Sequence, residues 1–471
     1  MTPLLVLNVP GLTRSLLARF PGRARAIEGL ARDGASATLG AVLPAVTCPA
    51  QATFLTGLLP REHGVVGNGW YFREPAEVHF WKQSNFLVAG EKLWDAGHAR
   101  DKRFTSAQLF WWFNMYSSND VAVTMRPWEE AGRVVSLLYT KPPELARQLE
   151  AELGAFPLFD FWGPRAGIRS SEWIERCARS VRRRFSPTLT LVYLPQLDYN
   201  LQRLGPEDPR VGSDLEAIDT VAGRLAVEAR AAGSEVVVLS EYGVSPVSDA
   251  VHINRVLRRA GYLEVQEQIS WELLDCGASR AFAVSDHQAA HVYVRDRADV
   301  APVKKLLERT DGVERVLDDA GKREQGLDHP RAGDLVALSA PDRWFSYFYW
   351  EDDRKAPGWA REVDIHRKPG YDPLELFMDP AQPLKLPRMF FRLALRALGF
   401  SVGPIMDFVP FDATLVKGSH GRLPSAPEDG PLFITSSGKL KPPEHLAPTQ
   451  VKAALLELIF GRQGGHNANS G

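Results

Sequence analysis

Three short runs of apolar residues constrain the fold of this 471-residue chain more than any other feature. The runs 4–9, 189–194 and 235–239 are rich in Leu and Val, and each is followed by a polar or turn segment and then a helical pattern. Nearly continuous apolar runs of this length are typical of parallel strands buried on both faces. Because strands that alternate with helices indicate a layered fold, we predict an α/β fold with a mostly parallel central sheet flanked by helices.

The predicted sheet also indicates where chemistry takes place. Ligands of open α/β sheets bind beyond the carboxyl ends of the strands. In this chain polar groups follow all three runs, in segments 8–11, 198–202 and 241–243. We therefore expect these segments to meet at one end of the sheet and to form a site there.

A candidate nucleophile lies in segment 43–57. Thr47 stands just before Cys-Pro and at the start of a helix-like run. The amino end of a helix offers unpaired N–H groups and the positive end of a dipole, so it receives an anion well. A hydroxyl at this position is suited to attack a phosphorus centre. The alternative is structural, with Thr47 as the N-cap and Pro49 in the first turn.

Composition narrows the class of partner. The formal net charge of −1 gives no electrostatic indication of nucleic acid or of an anionic membrane. The three widely spaced cysteines cannot form a disulfide framework or a cysteine-rich zinc site. With neither a signal peptide nor a membrane span in the pattern, we predict a cytoplasmic protein that acts on a small molecule. The sequence does not specify the oligomeric state.

The organisation predicted is a single domain over residues 1–460 and a disordered tail at 461–471. Two aromatic-rich insertions fall near 70–180 and 340–410, and the second includes a helical pattern at 388–398. Core packing is the favoured interpretation of the first aromatic stretch, with an aromatic wall facing a ligand as the alternative.

Five residues near the strand ends could serve a metal or a polar ligand. Asp198 and Gln202 are spaced to share one face of a helix, and Glu241 and Tyr242 directly follow a strand. His420 lies in Gly-Ser-His-Gly, where glycines allow the backbone to bend around the imidazole. Each could equally be a capping or hydrogen-bonding residue. The same ambiguity applies to two further groups, which contain Asp286, His287 and His329.

Taken in chain order, these pieces resemble the alkaline phosphatase superfamily, and within it the nucleotide pyrophosphatase and type I phosphodiesterase branch. The strongest part is 44–68, which is similar to the segment that carries the nucleophilic threonine of this branch and a downstream His-Gly…Asn. The resemblance implies that Thr47 forms a covalent intermediate and contacts a metal, and that Asn68 holds phosphoryl oxygens. A hydroxyl is a weak nucleophile, which a metal activates.

The resemblance also implies metal ligands, with departures from the family pattern. Asp198 and His420 match family ligands, whereas Gln202 and Tyr242 stand where the family has histidines and Glu241 stands for an aspartate.

The family's first-strand aspartate aligns with Pro10, and Asn8 is the nearby side chain that could substitute for it. The implied ligand set is Thr47, Asp198, Gln202, Glu241 and His420. Such an oxygen-rich set suits manganese or magnesium as well as zinc, and one ion rather than two.

We therefore predict a metal-dependent phosphoesterase that hydrolyses a small phosphodiester, pyrophosphate or phosphate monoester through Thr47. The alternative is an altered, metal-poor descendant that binds a phosphorylated metabolite in a biosynthetic pathway. A further alternative keeps the enzyme but transfers the phosphoryl group to an alcohol instead of water.

Overall fold

The central element is a nine-stranded sheet. The computed structural model describes residues 1–130, 133–380 and 407–462, together with residues 387, 391, 392, 394, 395 and 398. In spatial order, the strands of the sheet are His445–Leu446, Ala35–Leu39, Leu432–Thr435, Glu235–Leu239, Leu4–Asn8, Leu189–Tyr193, Ser106–Leu109, Val121–Met125 and Leu138–Lys141.

The sheet is mostly parallel, as predicted. Its middle strand, Leu4–Asn8, runs parallel to both neighbours, Leu189–Tyr193 and Glu235–Leu239. Two strands oppose the common direction: Leu432–Thr435 and Leu138–Lys141 are antiparallel to their partners. The three apolar runs are therefore adjacent strands at the centre of the sheet, and their carboxyl ends lie side by side.

Helices cover the sheet, and the longest of the described helices packs through one apolar face. In Val211–Ala231, the buried residues Leu215, Ile218, Ala222 and Leu225 recur at helical spacing, and the helix packs against Ile168–Phe185 and Arg25–Asp33. The other α-helices that lie wholly within the described ranges are Arg14–Arg19, Thr47–Thr56, Pro60–His63, Leu93–Arg100, Leu145–Leu153, Leu158–Phe161, Gln196–Leu204, Ile253–Arg259, Arg297–Leu307, Asp319–Glu324 and Val451–Phe460.

A second, antiparallel sheet was not predicted from the sequence. Its strands, in spatial order, are Ala281–Asp286, Ala289–Val294, Leu335–Ser339 and Val313–Leu317. The first two form a hairpin whose turn holds His287 at a φ of 60°. This sheet contributes to a second apolar cluster with the buried rings of residues 344–350.

The remaining strands form short pairs: Gly69–Phe72 with Glu77–Phe80, Trp128–Glu130 with Arg133–Val135, Ser245–Pro246 with Gly418–Ser419, Asp249–Val251 with Arg343–Phe345, and Val265–Gln268 with Trp271–Leu274.

Two sequence predictions fall largely on residues that the structure does not describe. They are the helix at 388–398 and the disordered tail at 461–471. The assignment of residues 1–460 to one domain stays a prediction. No helix in the described ranges is both long enough and apolar enough to cross a membrane.

Candidate active site

Thr47 lies at the amino end of a fully buried helix. The helix Thr47–Thr56 follows Val46, which is extended (φ −134°, ψ 163°), and all ten of its residues are buried. The N-cap is therefore Val46, and the structural alternative that placed Thr47 at the cap is wrong by one position. As the first helical residue, Thr47 turns its side chain towards a pocket of about 500 Å³ instead of back onto the helix.

The floor of this pocket unites residues from distant parts of the chain. Asp198, Tyr242 and His420 lie around Thr47, and His287 of the second sheet joins them. The Thr47 Oγ1 atom is 3.4 Å from the Tyr242 hydroxyl. The sequence prediction that the segments after the central strands meet at one end of the sheet agrees with this arrangement.

Asp198 and His420 present facing atoms. Asp198 Oδ2 accepts a hydrogen bond from Gln202 Nε2 at 2.6 Å, and His420 Nδ1 contacts the carbonyl of Ala45 at 2.8 Å. A carbonyl only accepts, so Nδ1 of His420 carries the proton and Nε2 carries a lone pair. Nε2 and Asp198 Oδ1 are 3.9 Å apart, and neither has a hydrogen-bond partner among the described residues.

Burial governs the protonation of this pair. It raises the pKa of Asp198 to about 7 and, with His287 nearby, lowers the pKa of His420 well below its ordinary value. Two buried atoms with lone pairs therefore face each other, and a proton or a cation between them would satisfy both.

Glycines are required to bring His420 to this position. A Cβ atom at Gly418 would lie 2.1 Å from the carbonyl oxygen of Leu201. Gly421 has a φ of +118°, and its Cβ would lie 2.9 Å from the backbone nitrogen of Gln288. The glycines of Gly-Ser-His-Gly thus permit close backbone contact, as the sequence pattern indicates.

Glu241 lies behind Thr47 and is fully buried. Its Oε1 atom accepts hydrogen bonds from Asn8 Nδ2 and from Gln51 Nε2, the latter at 2.6 Å. Gln51 Oε1 in turn accepts the backbone N–H of Trp112 at 2.7 Å. Burial raises the pKa of Glu241 to about 8. Sequence reasoning missed Gln51, although its place one helical turn after Thr47 was a usable signal.

Asn68 contacts the amino end of the helix Thr47–Thr56 through a hydrogen bond. Its Oδ1 atom accepts the N–H of Cys48 at 3.0 Å, while its backbone N–H and Nδ2 donate to the carboxylate of Asp286. Asp286 also accepts a hydrogen bond from Nδ1 of His287 at 2.8 Å. Burial raises the pKa of Asp286 to about 6. A continuous network thus links Asn68 to the pocket floor.

Four aromatic rings stack along the floor. Tyr242 and His420 are parallel within 6° with centroids 3.6 Å apart, His420 and His287 are 3.7 Å apart, and Tyr371 lies 3.7 Å from His287. His287, left open in the sequence analysis, therefore belongs to the site. His329 instead lies beside Gly64, and it is not among the residues that line the pocket.

The family-model comparison matches this chain to one family. The model described as type I phosphodiesterase / nucleotide pyrophosphatase matches residues 4–372. The chain belongs to this family. The assignment confirms the resemblance and makes the protein a hydrolase of the phosphodiesterase and pyrophosphatase type. The comparison with curated proteins returns no match.

Solved structures show the same fold at low sequence identity. Phosphonoacetate hydrolase from Sinorhizobium meliloti 1021, in complex with phosphonoformate, is 16% identical with a TM-score of 0.62, over 97% of this chain and 96% of that one. An inactive variant of murine ectonucleotide pyrophosphatase/phosphodiesterase 5, in complex with AMP, is 13% identical with a TM-score of 0.59, over 99% and 97% of the two chains.

The type I phosphodiesterase family is typically dependent on divalent metals, so the donor atoms of this member decide how many ions it can hold. In the part of the chain that the structure describes, no group of three or more His, Cys, Asp or Glu side chains could hold a metal ion. Gln202 makes two hydrogen bonds, because its Oε1 accepts from the Tyr371 hydroxyl at 2.9 Å and its Nε2 donates to Asp198. Glu241 Oε1 is held by two amides. Asp198 Oδ1 and His420 Nε2 face each other without partners among the described residues, so they are the pair best placed to hold an ion. Oε2 of Glu241 and Nε2 of His287 are also buried without a partner in the described part of the chain.

The buried Glu241 carboxyl predicts a pH dependence of stability. Its pKa is higher in the folded state, about 8, than the ordinary 4.5, so the folded protein binds more protons between these values. The contribution of Glu241 to the stability of metal-free protein should therefore be fully present below about pH 4.5 and should fall as the pH rises to 8, by roughly 1.4 kcal/mol for each pH unit. Glu241→Gln should remove this contribution, so that the urea midpoint of the variant should fall by less than that of the wild type between pH 5 and pH 8 with chelator present. An unchanged slope in the variant would show that Glu241 is not the group responsible.

Proposed function

We propose that this protein hydrolyses a small phosphodiester, pyrophosphate or phosphate monoester with Thr47 as the nucleophile. One observation carries the proposal. Thr47 lines the pocket at the amino end of a buried helix. In the same pocket, Asp198 Oδ1 and His420 Nε2 face each other, and neither atom has a hydrogen-bond partner among the described residues.

The chain's own residues provide a route for the reaction. Thr47 Oγ1 attacks phosphorus in line, forming an Oγ1–P bond as the bond to the leaving alcohol or phosphate breaks; the hydroxyl proton leaves with that group. Water then hydrolyses the Oγ1–P bond and returns a proton to Oγ1. The helix dipole favours the negative phosphoryl oxygens, and Asn68, bound to the Cys48 N–H, is the proposed side-chain partner for them.

Asp198 and His420 would hold one divalent cation. Zinc suits the imidazole nitrogen, and manganese or magnesium suits the surrounding oxygen atoms. When bound, the cation supplies positive charge that lowers the pKa of a hydroxyl and balances charge on phosphoryl oxygens. Gln202 would support the site through its hydrogen bond to Asp198. Glu241 would support it through its hydrogen bonds beneath Thr47. Neither residue would be a direct ligand.

Two further observations support the proposal, one on the class of substrate and one on the location of the protein. The related structures contain phosphonoformate and AMP, both small ligands with a phosphonate or phosphate group. Cys48, Cys177 and Cys276 are all free thiols, consistent with the reducing cytoplasm that we propose as the location.

The test combines metal analysis with Asp198→Asn. Protein purified without chelator should contain close to one divalent ion per chain and should hydrolyse a p-nitrophenyl phosphodiester. Asp198→Asn should lose the ion and at least about a hundredfold in kcat/KM, because an outer or direct metal ligand is worth one to two orders of magnitude or more. The matched control is Asp208→Asn, a partly exposed carboxylate that is paired with Arg210 and is not among the residues that line the pocket; it should leave both unchanged.

Absence of metal and of turnover, even after ions are added, would contradict the proposal. That result would favour the metal-poor alternative, in which the same pocket binds a phosphorylated metabolite in a biosynthetic pathway. Turnover that yields a phosphorylated alcohol when an alcohol competes with water would instead indicate a transferase.

A further inference from the structure

The wall of the pocket differs chemically from its floor. Above Thr47 it is built mainly from aromatic and aliphatic side chains of the first insertion; they include Trp81, Leu87, Trp112, Met125, Phe161 and Trp162. A phosphate group would occupy only a small part of a pocket of about 500 Å³, a size typical of sites for much larger ligands. The lining also includes Lys82, Gln83 and Arg126, but most of it is carbon, so most of the rest of the ligand must lie against carbon.

The wall is continuous with the floor. Trp81 packs on Trp112 with ring centroids 4.7 Å apart, and Trp162 lies 5.7 Å from Tyr371. Tyr371 is the ring that stacks on His287 at the floor. An apolar group attached to a phosphorus atom at Thr47 would thus pass directly from the polar floor onto the aromatic wall.

Apolar side chains are also exposed at the mouth. Phe86, next to Leu87 of the wall, is 83% exposed and stacks on Tyr116, which is 49% exposed and itself lines the pocket. Trp128 is 56% exposed and follows Arg126 and Pro127, which line the pocket. Single exposed apolar residues are ordinary, but a group at the mouth of an apolar pocket indicates a ligand that extends out of it.

We propose that the substrate is a phosphoester of a long-chain aliphatic alcohol, with its chain along this wall and its far end at the mouth. The inference rests on the proposed function for the identity of the reacting group, and on the wall and mouth for the chain. A nucleoside would instead bring most of its ribose and base polar groups against a lining that is mainly carbon, where groups without hydrogen-bond partners are costly to bury.

The kinetic experiment uses p-nitrophenyl phosphodiesters whose second ester group is methyl, butyl, octyl or thymidine-5′-yl. All four release p-nitrophenolate, so differences in kcat/KM report on the second group. Full burial of one methylene is worth roughly a factor of four, and we expect at least about a hundredfold rise from methyl to octyl. Equal values along the alkyl series, or a preference for the thymidine ester, would overturn the inference.

A binding experiment separates this inference from the proposed function. Thr47→Ala protein would be titrated calorimetrically with ethyl-, octyl- and dodecylphosphonate below their critical micelle concentrations. Affinity that rises with chain length supports the chain site even if no ester is hydrolysed. Turnover without any chain-length dependence of binding or kcat/KM would keep the proposed function and reject the long-chain substrate.

A paired substitution locates the effect. Leu87→Asp places a charge on the wall and should reduce the octyl-to-methyl ratio of kcat/KM at least tenfold; the ratio is insensitive to loss of folded protein. The control, Ile269→Asp, changes a residue that is 84% exposed in the hairpin turn between Val265–Gln268 and Trp271–Leu274, outside the pocket lining. It should leave the ratio unchanged, and an equal fall in both variants would contradict the proposed position of the chain.

Discussion

Thr47→Ala is expected to lower kcat/KM for a p-nitrophenyl phosphodiester by at least about a thousandfold. Loss of the nucleophile of a covalent mechanism typically costs three or more orders of magnitude, because no neighbouring group can form the same intermediate. The expected residual rate is that of direct attack by water in the pocket. The measurement is steady-state hydrolysis by the wild-type protein and the variant at equal metal content.

The matched variant is Thr47→Ser, which keeps the hydroxyl and loses one methyl group. It should retain activity within about a hundredfold of wild type and should still accumulate phosphorylated enzyme on rapid quenching, whereas Thr47→Ala should accumulate none. Folding should be little affected, since Val46 is the N-cap and the helix gains no cap hydrogen bond from a side chain in the described structure. Full activity of Thr47→Ala would remove Thr47 from the mechanism.

The central sheet was predictable because its strands are buried on both faces. Leu4–Asn8 and Glu235–Leu239 are apolar over nearly their whole length, a pattern that few other structures require. The order of the strands then brings their carboxyl ends together. Asn8, Asp198 and Glu241 could therefore be proposed as neighbours from the sheet alone, whereas Thr47 and His420 joined them through the family resemblance.

The rest of the site depends on contacts that local pattern does not encode. Asn8 and Glu241 are 233 positions apart, and their hydrogen bond depends on the pairing of two strands. The second sheet supplies His287 from a hairpin turn whose sequence is equally typical of a structural loop.

The aromatic insertion shows the same limit of sequence reasoning. Trp94, Trp111 and Trp173 are buried in the core, as the favoured interpretation predicts, whereas Trp81 and Trp112 line the pocket. All five are tryptophans in one stretch of chain. Only the packing of the insertion over the sheet decides which of them face a ligand.

Lys368 is expected to be the charged residue whose loss destabilises this fold most. Its Nζ atom lies 2.7 Å from both Asp372 and Glu375, and all three side chains are at most 2% exposed. Glu375 also accepts the indole N–H of Trp162 at 2.5 Å. Lys368→Met would leave two buried carboxylates without their cation, and breaking a buried pair in this way costs about 3–5 kcal/mol.

The measurement is the free energy of unfolding in urea, followed by tryptophan fluorescence and by circular dichroism. Lys355→Met is the control, because Lys355 is 39% exposed in its ion pair with Glu267 and should contribute less than about 1 kcal/mol. Adding Asp372→Asn and Glu375→Gln to Lys368→Met should restore part of the loss, since the uncompensated charges are then removed. Equal stability of the Lys368→Met and Lys355→Met variants would show that the buried cluster does not stabilise the fold in the way expected.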